Sequence, residues 1–482
     1  MTRSTKYLVP ESIYTPNRPA IVYGNESFSY AQVFDAALGA ETYLKGRGIQ
    51  PGDRVGLLGP NAPNYLISIL ALWRIGAIAC PLSTRSPDKL IAEQLQAIHC
   101  RYCLTAAGIV NIPHISNIDL SNIVLCHADI KDGSAGNFQC PLEQEATIIF
   151  TSGSSSKPKA VLHTFGNHFY SAKGSNEHIP VIPGDQWLLS LPLYHVGGLG
   201  ILLRTFLGGG SIVIPDGNEK IEDALGQHKI THLSLVPTQL IRLLRNRGNI
   251  KYLKNLKAIL LGGSPVPGSL IRASLEEGLP VYLTYGLTEM TSQVATSGRL
   301  TKGSICSAKI LNYRRLMISE EEEILVKGET LFKGYIDGTQ LSTPFNANGY
   351  FATSDLGTFS DDGHLLVIGR KDNMFISGGE NIQPEEIEKH LCQLEGVEEA
   401  VVVPVAHDEF GFRPVAFIKS NEPLTRDSAL VFLKGRLPSF KLPDQFYRWP
   451  AANNCEEFKV NRRDLIRLVE GQPAADLPYK VL

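Results

Sequence analysis

A chain of 482 residues is longer than one hydrophobic core usually supports, which predicts two or three cooperating domains. With 43% hydrophobic and 20% charged residues and a formal net charge of -2, it is an ordinary globular protein without a global basic field for nucleic acid. The opening MTRSTKYLVPES has no apolar stretch behind its basic flank, so no signal or transit peptide is predicted. The longest apolar run, Leu66 to Leu82, is interrupted by Ser68, Arg74 and Gly76 and too short to cross a bilayer.

In chain order, SYAQVFDAALGAETYLKGRG repeats apolar residues at helical spacing, and GRGIQPGD supplies a stop and turn before the strand RVGLLG. NAPNYLISILALWRIGAIACPL repeats helix then strand, a rhythm that predicts a parallel α/β sheet. Eight scattered cysteines suit free thiols in a reducing cytoplasm, the expected location, and the lone CxxC of Cys100 and Cys103 reads as packing beside a strand rather than a metal site. After the strand EATIIF comes TSGSSSKPKA, residues 151 to 160. Its small residues let backbone N–H groups turn inward on an anion while hydroxyls and lysines add donors, so a phosphate is the expected guest. It is not the GxxxxGK[ST] loop, lacking the second glycine and the closing GKS or GKT.

The strand rhythm returns in QWLLSLPL, SIVIP, THLSLVP, LKAILLGG and VYLTYG. The acidic run Glu320 to Glu323 reads as a solvated turn. EILVKGETLFKGY and HLLVIGRKDNMFIS are strand-rich, and PEEIEKHLCQLEGVEEAVVVPV reads as helix, turn, strand. A boundary is expected at GRKDN, giving an N-terminal domain of residues 1–370 and a C-terminal domain of residues 371–482, the latter of plausible independent size.

Four motifs stand in order: the loop at 151, TYGLTE at 284, TSDLG at 353 and GRKDNMFISGGENIQPEEIE at 369. Together they resemble the adenylate-forming superfamily of acyl- and aryl-CoA synthetases, peptide-synthetase adenylation domains and beetle luciferases, over essentially the whole chain. The resemblance implies an α/β fold: a large N-terminal domain of stacked α/β sheets with a distorted β-barrel-like subdomain, and a small mobile α+β C-terminal domain. It implies ATP, Mg2+ and coenzyme A as co-substrates and activator, and a small carboxylic acid as the substrate. No nucleic acid or stable membrane insertion is implied, and a homo-oligomer is compatible with it.

Residue by residue, the resemblance assigns Thr151, Ser152, Gly153, Ser154, Ser155 and Lys159 to the β- and γ-phosphates. The family usually has Thr-Gly where this chain has Ser155-Ser156, a change that costs about 1 kcal/mol if the site needs positive φ. Tyr285, with Gly286 beside it, matches the ring that stacks on adenine, Thr288 the hydroxyl at the α-phosphate, and Glu289 the magnesium carboxylate. Gly262, Gly263 and Ser264 match the segment lining the adenine and acyl pockets, and Asp355 and Arg370 the ribose contacts. Asp372 matches the hinge of the C-terminal domain, with Gly378 and Gly379 admitting the pantetheine arm. Lys459 matches the lysine of the adenylation step, although Phe458 replaces the usual glycine before it.

HTFGNHFYSAKGS and LPLYHVGGLGILLRTFLGG are most similar to the family members that activate an aromatic dicarboxylate in quinone biosynthesis. That substrate asks for apolar walls and a polar group for the carboxylate that does not react; His195, Arg204, Ser292 and Gln293 are the candidates. GSICSA departs from the family's usual form beside this pocket. A ligase for another aryl or a fatty acid, and a nucleotide-binding homologue without catalysis, are the competing readings.

Overall fold

The computed structural model describes residues 4–106, 114–124, 136–151, 158–217, 219–301, 307–377, 380–407, 410–434, 436–450 and 462–470. The chain divides into two compact units: Met1–Ser264 with Gly278–Met317 and Leu325–Ala352, and Pro265–Glu277 with Ile318–Ile324 and Thr353–Leu482.

The first unit holds two large sheets. In the nine-stranded sheet the parallel strands Pro19–Tyr23, Ser211–Ile214, Gln186–Leu188, His232–Leu235, Ala258–Leu261 and Val281–Leu287 are neighbours in that order, with antiparallel strands at both ends. In the eight-stranded sheet Ser116–Asp119, Tyr102–Thr105, Arg54–Leu58, Ile78–Pro81 and Glu145–Thr151 are parallel. Beyond them Lys159–Thr164, Gly334–Asp337 and Gln340–Ser342 continue the sheet antiparallel. The parallel sheet expected from the alternating rhythm is therefore mixed. Seven residues separate Thr151 from Lys159, too few for a parallel crossover, so the chain must turn back on itself.

One continuous apolar core joins strands of both sheets to the helices Tyr30–Gly46, Pro63–Ile75, Phe165–His178 and Val196–Leu207. Pro63–Ile75 is buried over almost its whole length. Proline sits at its first turn, and Gly76, at φ 85, lets the chain leave it in a left-handed conformation. Trp73 is 1% exposed, with its indole N–H donating to the Ala146 carbonyl at 2.9 Å. Cys100 and Cys103 are buried free thiols, Cys103 on the strand Tyr102–Thr105. Burial pushes the Cys100 thiol up to about 11. Strands Arg314–Ile318, Glu323–Gly328, Phe351–Phe359 and Leu365–Arg370 form the barrel-like four-stranded sheet.

In the second unit, Val397–His407 and Gly411–Ser420 form a long antiparallel hairpin extended by Phe375–Ser377 and Glu380–Ile382, with Gln445–Arg448 parallel to Gly411–Ser420. Period-two alternation splits its apolar residues between two faces. Val402, Ala416 and Ile418 pack against the helices Pro384–Leu391 and Arg426–Lys434, and Val403, Val415 and Phe417 against Arg462–Glu470. The acidic run is not wholly a solvated turn: Lys371 bonds Glu321 at 2.5 Å and Glu323 at 3.2 Å, and Glu323 also accepts from the Ser354 N–H. Among the described residues no helix is long and apolar enough to cross a membrane.

Candidate active site

The candidate phosphate loop begins and ends side by side, because Thr151 pairs directly with Lys159 across the hairpin. Ser152, Gly153, Ser154, Ser155 and Ser156 lie outside the described residues, as do Gly378, Gly379, Phe458 and Lys459. The Lys159 ammonium stands 4.9 Å from the ring centroid of Tyr335, and the Tyr335 hydroxyl donates to Glu289 Oε1 at 2.7 Å. Burial first, then the neighbouring Glu289 carboxylate, raises the Tyr335 phenol well above its ordinary range, so it remains a donor.

TYGLTE spans the end of the strand Val281–Leu287 and the single 3-10 turn Thr288–Met290. Tyr285 and Gly286 lie on the strand, Thr288 and Glu289 on the turn. A Cβ at position 286 would lie 1.8 Å from the Ser292 carbonyl oxygen, so only glycine admits the neighbouring strand at this distance. The register slips between Tyr285 and Gly286, and Thr291 and Ser292 follow at φ 55 and φ 91. Such conformations cost non-glycine residues about 1–3 kcal/mol and persist where surrounding bonds over-determine them. The Thr291 hydroxyl donates to Thr330 O at 2.8 Å, the Ser171 hydroxyl to Thr291 O at 2.6 Å, and Arg314 Nε to Gln293 O at 2.7 Å.

Beneath the turn, His163 Nε2 donates to the Thr288 carbonyl at 2.8 Å. The Thr147 hydroxyl lies 3.4 Å from His163 Nδ1 and 2.8 Å from His168 Nε2. Burial pulls His163 down to about 4; burial and then His163 hold His168 well below its ordinary value. Both rings are neutral at neutral pH and act as fixed dipoles. Gly262 and Gly263 follow the strand Ala258–Leu261. A Cβ at 262 would press into Thr284, Gly263 has φ 82, and Ser264 comes next.

Of the candidate acid-binding residues, Arg204 is a buried arginine, and a second buried arginine, Arg314, has the opposite character. Arg314, 6% exposed, has each of its three nitrogens bonded, to the carbonyls of Gln293, Asn312 and Ser171 and to the Ser171 hydroxyl. Among the described residues Arg204, 2% exposed, forms no ion pair and its Nη1 has no hydrogen-bond partner. Its guanidinium stacks 5.1 Å from the Trp187 ring and lies over Gly200, one helical turn earlier, where a Cβ would be 2.3 Å from Nη2. Burial pulls Arg204 down to about 9, which still leaves it charged at neutral pH. Gln293, 3% exposed, donates to the Thr296 hydroxyl at 3.0 Å while its Oε1 is unpartnered among the described residues. His195 is the exposed N-cap of Val196–Leu207, the helix that carries Arg204 nine residues further on.

In the second unit Asp355 and Arg370 pair across the antiparallel strands, with Arg370 Nη1 at 2.9 Å from Asp355 Oδ1 and Nη2 at 2.8 Å from Asp372 Oδ2. Burial opposes the Arg370 charge, but Asp355 and Asp372 outweigh it and raise the guanidinium's pKa. Among the described residues no three His, Cys, Asp or Glu side chains gather into a metal cage. Glu289 offers a hard oxygen ligand that fits magnesium, which is commonly held by one or two carboxylates with water and substrate phosphates supplying the rest.

The structure thus joins Lys159 to Glu289 through Tyr335, sets Thr288 over His163, and groups Gln293 with Arg314. Tyr335, Thr147, His168 and Arg314 were not singled out from the sequence. The available signal was period two: Lys159, Val161 and His163 share one strand face, and Tyr335 lies opposite Val161.

A family model described as AMP-binding enzyme matches residues 12–336, and one described as AMP-binding enzyme C-terminal domain matches residues 386–457. A 2-succinylbenzoate–CoA ligase of Bacillus cereus is 32% identical over 487 aligned positions, covering 98% of this chain and 100% of the relative. The MenE of E. coli, solved with a phenylether-linked analogue of OSB-AMS, superimposes with a TM-score of 0.80 at 31% identity, covering 95% of this chain and 97% of that one. The o-succinylbenzoate CoA synthetase MenE of Bacillus subtilis, solved with the acyl-adenylate OSB-AMP, gives 0.79 at 28% identity over 90% and 92%. The same enzyme has been solved with ATP and magnesium ion, at the same TM-score and identity, covering 90% of this chain and 94% of that one.

Two outcomes follow from the burial. His163 has a depressed folded pKa, so the unfolded chain binds more protons between pH 6.5 and about 4; stability is complete above this window and falls as pH drops through it. Urea midpoints measured from pH 7 to 4.5 are expected to fall, with His163 contributing on the order of 3 kcal/mol, and His163→Gln to lose less; equal slopes contradict this. Arg204→Met is expected to stabilise the ligand-free protein by about 1–4 kcal/mol in chemical denaturation, because it removes an uncompensated buried charge; a loss of stability contradicts that.

Proposed function

The chain belongs to the AMP-binding enzyme family, and on that premise we propose that it is an ATP-dependent acid–CoA ligase whose acid is 2-succinylbenzoate. A carboxylate oxygen of the acid attacks the α-phosphorus of ATP; the new O–P bond forms as the bond to the β-phosphate's bridging oxygen breaks, giving acyl-adenylate and diphosphate. The thiol of coenzyme A, losing its proton, then attacks the acyl carbon, forming the C–S bond and expelling AMP.

The observation that carries the choice of acid is Arg204. A buried guanidinium without an anionic partner is costly in the free protein and well suited to a ligand that brings a second carboxylate. A monocarboxylic fatty acid would spend its one carboxylate on the reaction and leave Arg204 unpaired. His195, Ser292 and Gln293 are assigned to the same acid pocket, and the names of the relatives support the same substrate.

For the nucleotide, Thr151, Ser152, Gly153, Ser154, Ser155 and Lys159 are assigned to the β- and γ-phosphates, Tyr285, Gly286, Gly263 and Ser264 to adenine, and Asp355 with Arg370 to the ribose. Thr288 is assigned to the α-phosphate and Glu289 to magnesium, which when bound supplies positive charge against the triphosphate. Holding the reactants in line and neutralising phosphate charge is most of what such a reaction asks of a protein. We assign Lys459 to the adenylation step, Gly378 and Gly379 to the thiol's approach, and Asp372 to the hinge between residues 1–370 and 371–482. Consumption of ATP and coenzyme A suits the cytoplasm, nucleic acid has no part, and a homo-oligomer is compatible with the chemistry.

Purified protein with ATP, magnesium and coenzyme A is expected to convert 2-succinylbenzoate to its thioester with release of diphosphate and AMP, and to leave a medium-chain fatty acid unreacted. Lys459→Ala is expected to slow diphosphate release by about 100-fold or more, the order of one lost transition-state contact, while still passing a supplied acyl-adenylate to coenzyme A. Turnover of the fatty acid in place of the diacid would sink the substrate assignment, and silence with every acid would sink the ligase reading.

A further inference from the structure

Tyr335 stands between two opposite charges that belong to different parts of the proposed nucleotide site. The strand Gly334–Asp337 pairs antiparallel with Lys159–Thr164 so that Tyr335 faces Val161. Lys159, two residues earlier, projects from the same sheet face and reaches the ring diagonally, the usual reach of a long side chain across an antiparallel pair. Its ammonium is 4.9 Å from the ring centroid, within cation–π range.

The other end of the phenol holds Glu289, its hydroxyl donating to Oε1 at 2.7 Å. The same segment also grips the backbone of Glu289, since the Phe332 N–H donates to the Glu289 carbonyl at 2.8 Å. The ring itself is fixed: Phe332 and Phe351 meet it edge-on at centroid distances of 4.8 Å and 6.4 Å. Gly334, at φ 152, lies where a Cβ would be 2.4 Å from the Ser342 carbonyl oxygen, which ties the chain just before Tyr335 to its neighbouring strand.

Among the described residues no ion pair forms between Lys159 and Glu289, although each touches the same tyrosine. A direct pair between them would neutralise the two charges that a magnesium triphosphate needs. A face for the cation and a hydroxyl for the anion hold them apart and oriented.

We propose that Tyr335 is a positioning residue of the nucleotide site: its hydroxyl presets the Glu289 carboxylate for magnesium, and its ring face holds the Lys159 ammonium ready for phosphate. The inference rests on the assignment of Glu289 to magnesium and Lys159 to phosphate, and goes beyond it in giving both residues a common support. Tyr335→Phe keeps the ring face and removes the hydroxyl, whereas Tyr335→Leu removes both.

The test is calorimetric binding of a non-hydrolysable ATP analogue to the full chain over a magnesium titration, with Glu289→Gln in parallel. Tyr335→Phe is expected to raise the magnesium concentration at half-effect by about 10-fold, the scale of one hydrogen bond to a charged group, and to leave magnesium-free analogue affinity within about twofold. Tyr335→Leu is expected to lose magnesium-free affinity as well, by about 5-fold, a cation–π contact's worth. In turnover, the magnesium dependence should move more than the KM for 2-succinylbenzoate. If Glu289→Gln shifts the magnesium dependence and Tyr335→Phe does not, the role of Tyr335 is overturned. If Glu289→Gln leaves it unmoved, the magnesium assignment beneath it falls, and the inference with it.

Discussion

At position 286 the strand Val281–Leu287 and its neighbour Ser292–Thr296 approach until the Ser292 carbonyl fills the space of a side chain. The candidate site of the first unit is arranged around that contact. The register slip it brings turns Thr288 and Glu289 out of the strand, where His163 meets the Thr288 carbonyl and Tyr335 meets the Glu289 carboxylate. On the returning strand it sets Gln293, whose carbonyl is held by Arg314. The left-handed Thr291 and Ser292 carry the conformational cost, and the hydrogen bonds of Ser171, Thr330 and Arg314 keep it from relaxing.

The two buried arginines follow a different economy. Arg314 and Arg204 are both buried, yet each guanidinium nitrogen of the first is bonded to a carbonyl or a hydroxyl, while Nη1 of the second has no partner among the described residues. The first is structural. The second keeps its charge with partial compensation from the Trp187 face, an arrangement that is costly in the ligand-free protein. Under the proposed assignment specificity rests on mismatch: a ligand without the second carboxylate would leave the buried cation as costly as before.

Much of the fold was legible in the sequence. Central parallel strands such as Ala258–Leu261 and Ser211–Ile214 are buried on both faces and read as the short apolar runs AILL and IVI, and the helix Pro63–Ile75 announces itself by an initial proline and a closing Gly76. The hairpin at Thr151 was less legible, since a strand's direction is not written in its own residues but in the length of the link that follows. The motif positions came from resemblance. The supports of those positions did not, because Tyr335 with Lys159, Thr147 with His168, and Arg314 with Ser171 each join residues brought together only by tertiary pairing. Glu323 was misjudged for the same reason: its partners Lys371 and Ser354 lie far along the chain.

The claim that Arg204 receives the carboxylate that does not react is tested most directly by comparing kcat/KM for 2-succinylbenzoate with 2-butyrylbenzoate and 4-oxo-4-phenylbutanoate, each of which lacks one of the two carboxylates. With the natural chain, both analogues should fall at least about 30-fold below the diacid, the lower end of the cost of stripping a partner from a buried charge, and in Arg204→Met the gap to the analogue that still reacts should close. An analogue that matches the diacid in the natural chain would contradict the account, because the second carboxylate would then have no cation to meet.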